Sequence, residues 1–464
     1  MQIANRSAQL VLALATTTAL SACTVGPKYA RPQVPTPPVY RYAEGVALSE
    51  SLADAPWWQV FQDPTLQELI REAISHNLDL RAAVARVEQA RAQVGIVKSQ
   101  FYPHVDGAAT YGIQQNGSFD DENFQHGGIY GFQLSWELDL FGRIRREKEA
   151  AYARMLASEQ GRRGVLVTLV GDVASNYFQL RELDLQRQIS LQTLNVNDQT
   201  VTFFQNRLQG GVGNRLEVDR SIALRAQTGA AIPDIERQIA IVENAISLLL
   251  GRTPGPIARA PIGAFVEAPP AIPPGLPASL LTRRPDVMQA EELLVAANAD
   301  VGAAKALFFP AVDLTGFLGL VSGDLATILA NGGGLGRLSG SVLQPIFNGG
   351  RLKNNLRQMR ARYDEAVAEY QKSALNGYRE VANALIAIQK LAEARVHQQT
   401  GVTALQDAAD LARARYDSGL ATYFEILEAD QQLFERQILL AQTQGSEFQA
   451  RADLYRALGG GWQQ

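Results

Sequence analysis

The chain has one cysteine in 464 residues. That excludes a disulfide framework, a zinc ribbon and a paired-cysteine redox motif. Its four histidines (His76, His104, His126 and His397) are too far apart to suggest a metal cluster. Four methionines, Met1, Met155, Met288 and Met359, offer no grouping for Cu(I). Charge is also scarce, at 19% of residues, against roughly 25% in ordinary soluble domains. With 43 basic and 47 acidic side chains the net charge is −4, a balance that offers no electrostatic case for nucleic acid. Beyond Cys23 there is no run of about 18 apolar residues, and hence no transmembrane helix. A crossing of the bilayer would therefore need a closed β-barrel, because lipid satisfies no backbone polar group. Proline is missing between Pro103 and Pro233 and again after Pro345, whereas five of the twenty lie in 27–38 and nine in 254–285. Those two gaps are where helices can run uninterrupted.

What is present begins with a targeting segment. Arg6 is the only charged side chain ahead of an apolar stretch, Leu10 to Leu20, which ends in Leu20-Ser21-Ala22-Cys23. A short apolar run with small residues before the cut reads as a secretory signal over residues 1–22. Small residues directly before a lone cysteine resemble a bacterial lipobox, which makes Cys23 the acylated first residue of the mature chain. This covalent lipid is the one attached group expected; no cofactor and no metal are. Thr24 follows the cysteine where an aspartate would, by resemblance to bacterial lipoproteins, favour the inner membrane, so the outer membrane is expected.

An internal duplication organises the rest. Val94-Gly95, Lys98, Phe101 and Pro103 return as Val301-Gly302, Lys305, Phe308 and Pro310, at an offset of 207. Ser135 and Phe141 match Ser341 and Phe347 at 206, and from Arg143 and Arg351 onward the offset is 208. Arg207, Gly211, Glu217 and Leu250-Gly251 then match Arg415, Gly419, Glu425 and Leu458-Gly459. The expected plan is an extended lipid-anchored segment over 23–62, one repeat over 63–252, a Pro-rich linker over 253–277 and a second repeat over 278–464.

Each repeat reads as helix, strand, loop, strand, very long helix, hairpin and long helix. Asp63-Pro64 is an N-cap followed by proline at the first helical position. The spacing predicts a helix to about Gln100 with a break near Asn77-Leu78-Asp79, then one from about Arg143 to Leu208. In the latter, Leu166, Val170, Val173, Tyr177 and Leu180 form a heptad-like stripe, as expected where helices pack side by side. Gly210-Gly211-Val212-Gly213 stops it, and a return helix runs from about Leu216 to Leu250, with a kink expected at Pro233. The second repeat offers Arg351–Tyr416, a turn at Ser418-Gly419, and Tyr423–Leu458. The longest helices would span ~100 Å at about 1.5 Å per residue, so they need neighbours along their whole length.

Four segments have a period of two. Tyr130, Phe132, Leu134, Trp136 and Leu138 alternate with Gly131, Gln133, Ser135, Glu137 and Asp139. Val105 to Ile113 puts Asp106 and Thr110 opposite its apolar face, and Ala311–Leu320 and about Arg337–Phe347 are weaker, glycine-rich counterparts. These have the length and alternation of transmembrane β-strands. The acids Asp106, Glu137, Asp139 and Asp313 then line a cation-preferring lumen, unless some of them pair with Arg143 or Arg337 near the rim. Four strands cannot close a barrel, so the arithmetic requires a dimer of eight strands or a trimer of twelve.

No enzymatic motif competes. Gly332 to Gly336 lacks a following Gly-Lys-Ser/Thr and reads as a glycine-rich extracellular loop rather than a phosphate loop. Arg283-Arg284-Pro285-Asp286 reads more simply as a helix start than as an anion site.

The duplicated plan, with Gly26-Pro27-Lys28-Tyr29, Arg31-Pro32, Trp57-Trp58, Phe61-Gln62-Asp63-Pro64, Trp136-Glu137-Leu138-Asp139-Leu140-Phe141-Gly142-Arg143, Arg283-Arg284-Pro285-Asp286, Phe309-Pro310 and Pro345-Ile346-Phe347-Asn348-Gly349-Gly350-Arg351, strongly resembles outer-membrane efflux channels. These are the TolC-like outer-membrane factors, here of the lipoprotein (NodT-type) branch that serves resistance-nodulation-division pumps. The resemblance covers essentially the whole mature chain. It implies a mixed α and β membrane protein, a homotrimer with a 12-stranded barrel in the outer membrane continued by a long periplasmic α-helical barrel. It implies as partners a periplasmic adaptor and an inner-membrane resistance-nodulation-division transporter that drives export of drugs or other small toxic compounds. Arg207 with Gly211 and Arg415 with Gly419, at the two hairpin tips, are the expected adaptor contacts, although a basic residue before a terminal glycine also suits a helix end by itself. Phe424 and Glu428, spaced i, i+4 just past the second tip, are the expected gate, at positions where the first repeat has Leu216 and Arg220. The competing readings are a lipid-anchored periplasmic helical scaffold without a pore, and a channel serving type I protein secretion or metal-ion export.

Overall fold

The computed structural model describes residues 24–42, 61, 63–115, 124–259, 275, 277–322 and 333–460. The signal segment 1–22, Cys23, Trp57-Trp58 and most of the Pro-rich linker lie outside the described residues. In chain order the elements are α1 (Pro64–His76), α2 (Leu78–Ser99), β1 (His104–Gln115), β2 (Phe124–Leu138), α3 (Arg143–Gln209), α4 (Arg215–Leu249), a 3₁₀ turn (Pro277–Ser279) running into the short α5 (Leu280–Arg283), α6 (Pro285–Ala306), β3 (Ala311–Ser322), β4 (Gly333–Leu343), α7 (Arg351–Asp417) and α8 (Tyr423–Leu458). The two long helices have the same length, 67 residues each. No helix among the described residues is long and apolar enough to cross a membrane.

The chain divides into two compact units, and each draws on both repeats. One comprises 1–33, 85–159 and 289–372 and contains the sheet; the other comprises 34–84, 160–288 and 373–464 and contains both hairpin tips.

In the first unit β1, β2, β3 and β4 form one antiparallel sheet in sequence order. Two strands, β2 and β4, differ most from the sequence reading. β2 begins at Phe124, because its backbone pairs with β1 as far as Phe124 opposite Gln115. β4 spans Gly333–Leu343, so the glycine stretch from Gly333 to Gly336, expected as loop, is strand, and Ile346-Phe347, expected as strand, is not. A ladder needs backbone groups, which glycine keeps, and Gly336 and Gly334 pair with Leu318 and Leu320. Pro345 has no N–H to donate, which is consistent with the strand stopping before it.

In the second unit the sequence stripe is the core. Val170, Val173, Tyr177 and Leu180 are buried, with Leu166 packed at their margin, together with Leu66, Leu69 and Ile70 of α1, Ile239 and Ile246 of α4, Val381 of α7 and Tyr455 and Leu458 of α8. Asp63 caps α1, accepting from the Thr65 and Leu66 amides at 2.9 and 3.2 Å, while its other oxygen accepts from the Tyr177 hydroxyl at 2.7 Å. Asn77 makes the break between α1 and α2. Its amide donates to Ala73, its side-chain oxygen accepts from the Leu80 amide at 2.9 Å, and its side-chain nitrogen donates to the Leu249 carbonyl. The helix α4 continues through Pro233. Arg284, of the Arg-Arg-Pro-Asp motif, is buried, pairs with Asp286 and Glu380, and donates to the Ala457 carbonyl, so the motif's arginine pins the end of α8.

Glu182 of α3 is a buried acid in this packing. Its carboxylate lies against Gly445 of α8, where an added Cβ would stand 2.3 Å from the Glu182 oxygen. It accepts from the Gln186 side chain at 2.9 Å. Burial pushes its pKa up to about 7 from a free value of 4.5. The folded chain therefore binds this proton more tightly than the unfolded chain. The contribution is full below pH 4.5 and is lost as the pH rises through about 7. Glu182→Gln is expected to remove that loss, so the thermal midpoint of the wild type, followed by circular dichroism, should fall across this window relative to the variant.

Candidate conduit and hairpin tips

Directly paired residues of a sheet share a face, so the register sorts the side chains. One face carries the rows Glu137–Asp313–Ser341, Ser135–Thr315–Ser339 and Asp106–Gln133–Phe317–Arg337, each residue paired with the next. Thr315 and Ser339 share a hydrogen bond of 2.8 Å on it. The other face carries Val105, Phe132, Leu134, Trp136, Leu314, Leu318, Leu338 and Val342. Val105, Phe132, Leu318, Leu338 and Val342 on that face are all largely exposed. A continuous exposed apolar face on a sheet whose opposite face is polar is the arrangement of a strand wall in lipid.

The four acids expected in the lumen do not stand alike. Asp106 and Asp313 lie on the polar face and form no ion pair with a described residue. Glu137 is on that face too, but Arg143 at the start of α3 holds it in a two-pronged bridge, 2.9 and 2.6 Å, and also binds Glu147 at 2.7 Å. Asp139 is not in the strand, which ends at Leu138. Its side chain, 8% exposed, accepts from the backbone amides of Ile144 and Arg145 at 3.1 and 3.0 Å and pairs with the Arg145 guanidinium. It caps the long helix, the stabilising position for an acid at a positive helix end, so the expectation that it lines the lumen is corrected.

The two hairpin tips share one backbone device. After α3 the amide of Val212 donates to Arg207 and that of Gly211 to Leu208, both at 3.1 Å; after α7 the amides of Leu420 and Gly419 do the same to Arg415 and Tyr416, at 2.8 and 2.9 Å. Gly211 and Gly419 adopt φ of 71° and 72°, which side-chain-bearing residues rarely do. In each tip the arginine reaches back across the turn to a carbonyl, Arg207 to Val212 at 3.4 Å and Arg415 to Leu420 at 3.3 Å. The repeated Arg-x-x-x-Gly spacing thus has a local structural cause. Arg207 also lies over the Phe203 and Tyr416 rings, 5.7 and 5.6 Å from their centres.

Past the second tip, Phe424 is 53% exposed while its neighbours Tyr423 and Ile426 are buried against Phe204 and Val218. Glu428 is exposed on the same face and accepts from Gln432 at 3.2 Å. The Arg220 guanidinium sits 5.4 Å from the centre of the Phe424 ring. The sequence reading took Arg220 only as the first-repeat counterpart of Glu428; the fold brings it onto Phe424 instead, an attraction of about 0.5–1 kcal/mol at an exposed site. The sequence also missed Arg413, which pairs with the buried Asp430 of α8. Burial pushes the Asp430 pKa up and the arginine beside it pulls it down, with burial the larger effect. Comparing the repeats would have flagged both, since the first repeat has Gln205 and Ile222 there. No group of three metal-ligating acids, histidines or cysteines occurs among the described residues.

A membrane-facing sheet joined in sequence to hairpins of very long helices defines the class of outer-membrane duct proteins. The profile of the outer membrane efflux protein family matches twice, over residues 69–252 and 276–460, and the chain belongs to that family. It is 33% identical over 449 residues to the cation efflux system protein CusC of Escherichia coli O6:H1, covering 96% of this chain and 97% of that one. It is equally, 33%, identical over 456 residues to the toluene efflux pump outer membrane protein TtgC of Pseudomonas putida, covering 96% and 93%. Among solved structures, the outer-membrane channel OprN superimposes with a TM-score of 0.87 at 33% identity, over 95% of this chain and 100% of that chain. The protein is an outer-membrane channel component of an efflux system.

Proposed function

We propose that three copies of this chain close a single twelve-stranded barrel in the outer membrane. Their long helices form a periplasmic barrel beneath it. The assembly is the passive exit duct of a tripartite pump whose other members are a periplasmic adaptor and an inner-membrane resistance-nodulation-division transporter. One observation carries this reading: the four-stranded sheet carries an exposed apolar face and has its outer edges at β1 and β4, a state lipid does not tolerate until neighbouring copies pair the edges. The cargo is drugs or other small toxic compounds. CusC and TtgC, one named for cations and one for toluene, are equally similar to this chain, which fits a duct whose cargo is chosen by the transporter. The duct performs no chemistry of its own.

Within that duct Asp106 and Asp313 form acidic rings that favour cations, with Glu137 contributing less because Arg143 neutralises it. Phe424 and Glu428 form the gate near the periplasmic end, and the Arg220–Phe424 contact holds it. In planar bilayers the purified protein should give discrete conductance steps with cation preference under a KCl gradient. Asp106→Asn with Asp313→Asn should reduce that preference and Asp139→Asn should leave it unchanged. Phe424→Ala with Glu428→Ala should raise the conductance severalfold. A bilayer that stays silent would favour the scaffold without a pore.

The hairpin tips dock the adaptor through Arg207, Gly211, Arg415 and Gly419. Reversing charge at Arg207 and Arg415 should abolish drug efflux by cells while the oligomer, by native mass, stays intact; undiminished resistance would place docking elsewhere.

Cys23 carries the lipid that anchors the mature chain. The mass of the mature N-terminal peptide should equal acylated Cys23 followed by Thr24, and an unacylated start at any other residue would overturn the assignment.

A further inference from the structure

The two repeats start their long helices with the same cations but not with the same acids. In the first, Arg143 is held by Glu137 and Glu147, and Arg145 by Asp139. At the aligned positions of the second, Arg351 and Lys353 keep the positive charge, while Leu343, Asn355 and Pro345 replace the three acids. Arg351 is exposed and forms no ion pair with a described residue. Arginine stays charged at any working pH and presents a rigid fork of N–H donors, so the lost acids leave those donors on offer.

Arg351 lines a cavity of about 230 Å³ at the foot of the sheet, formed wholly within the unit that contains the sheet. Its wall is largely apolar. Phe141 and Phe309 stack with ring centres 4.9 Å apart, and Pro310, Leu343 and Pro345 continue the surface. Leu343 pairs with Ala311, two residues along from the pairing of Ser341 with Asp313, so it lies on the polar face of the sheet, where it is 68% exposed. The acids of the cavity are already engaged. Glu137 accepts both prongs of Arg143, and Asp139 accepts from Arg145 and the first amides of α3. A cationic ligand would have to break the Glu137–Arg143 bridge, whereas an anionic one meets donors that nothing described holds. Apolar walls with one directed polar group are the usual form of a small-molecule site.

We infer that this cavity binds a small amphipathic organic anion, with its carboxylate on Arg351 and its apolar body against Phe309 and Leu343. The volume admits an aromatic acid of one ring or a short aliphatic acid. Each chain offers one such site, because in the first repeat the equivalent cation, Arg143, is already paired. The site's access to cargo rests on the duct reading, in which the polar face lines the lumen. There it retains organic acids at the foot of a wall whose unpaired carboxylates, Asp106 and Asp313, repel them.

Equilibrium dialysis of the full-length protein in lipid nanodiscs, with empty nanodiscs as the blank, tests this with cinnamate as the probe. Cinnamate should bind saturably, at one molecule per chain. Its neutral amide, cinnamamide, and the corresponding amine, cinnamylamine, should each bind about tenfold more weakly or worse, since neither makes the charge-assisted bond. Arg351→Gln should bring cinnamate down to the level of the amide. Leu343→Trp should fill the cavity and abolish binding while the circular dichroism stays unchanged. Lys353→Gln removes the same charge two residues away and should leave the affinity as it is, which separates the site from the general field. No saturable binding by the wild type, an affinity indifferent to Arg351→Gln, or an amine held as tightly as the acid would overturn the assignment. The duct reading fails separately: a protein that binds cinnamate in this way but passes no current in planar bilayers keeps the site and loses the conduit.

Discussion

Lipid offers no partner for a backbone N–H or C=O, and each group left bare there costs several kcal/mol. The features of the sheet follow from that constraint. Three ladders satisfy the interior strands, and the outer sides of β1 and β4 are left as matching open edges. The side chains obey the same logic. Because Ser135 faces Thr315, and Phe132 faces Leu318, a slip of one residue at that ladder would turn apolar side chains toward the polar face. Register is therefore specified by both faces at once, and the glycines of β4 are tolerated because they keep the backbone pairing that the constraint demands.

Where the strands end, charge changes its task. Asp313 and Asp106 keep open carboxylates on the polar face, but Glu137, directly opposite Asp313, is tied to Arg143, and Asp139 caps the helix that Arg143 begins. Loss of such a cap typically costs about 1 kcal/mol. The acids at the foot of the sheet thus start α3 and fix its first turn, and they contribute less free field than their number suggests.

The duplication separates scaffold from specialisation. Where the repeats agree, the cause is backbone geometry, as in the identical turns at Gly211 and Gly419. Where they differ, new contacts appear: Arg220 on Phe424, Arg413 on the buried Asp430, and α3 on α6 with no internal counterpart for α2. Those departures are the places at which one chain with two similar halves becomes asymmetric.

Much of this was legible in the sequence. Proline gaps, the Asp63-Pro64 cap, the Leu166 to Leu180 stripe and the terminal glycines mark helices within a residue or two, because caps, breakers and periodicity act locally. The alternation from Tyr130 to Leu138 marks a strand with one apolar face for the same reason. The sequence could not say that Gly333 to Gly336 would be strand, since a glycine run has no side-chain pattern and pairing with Leu318 and Leu320 comes from a distant partner. Nor could it divide the four acids, because whether a carboxylate faces a lumen, bridges an arginine or caps a helix depends on which residue lies within 3 Å of it. Local chemistry fixed the elements; the fold decided what their charges do, by turning the chain between β2 and α3 so that Arg143 meets Glu137, and by bringing Asp313, far off in sequence, opposite Glu137.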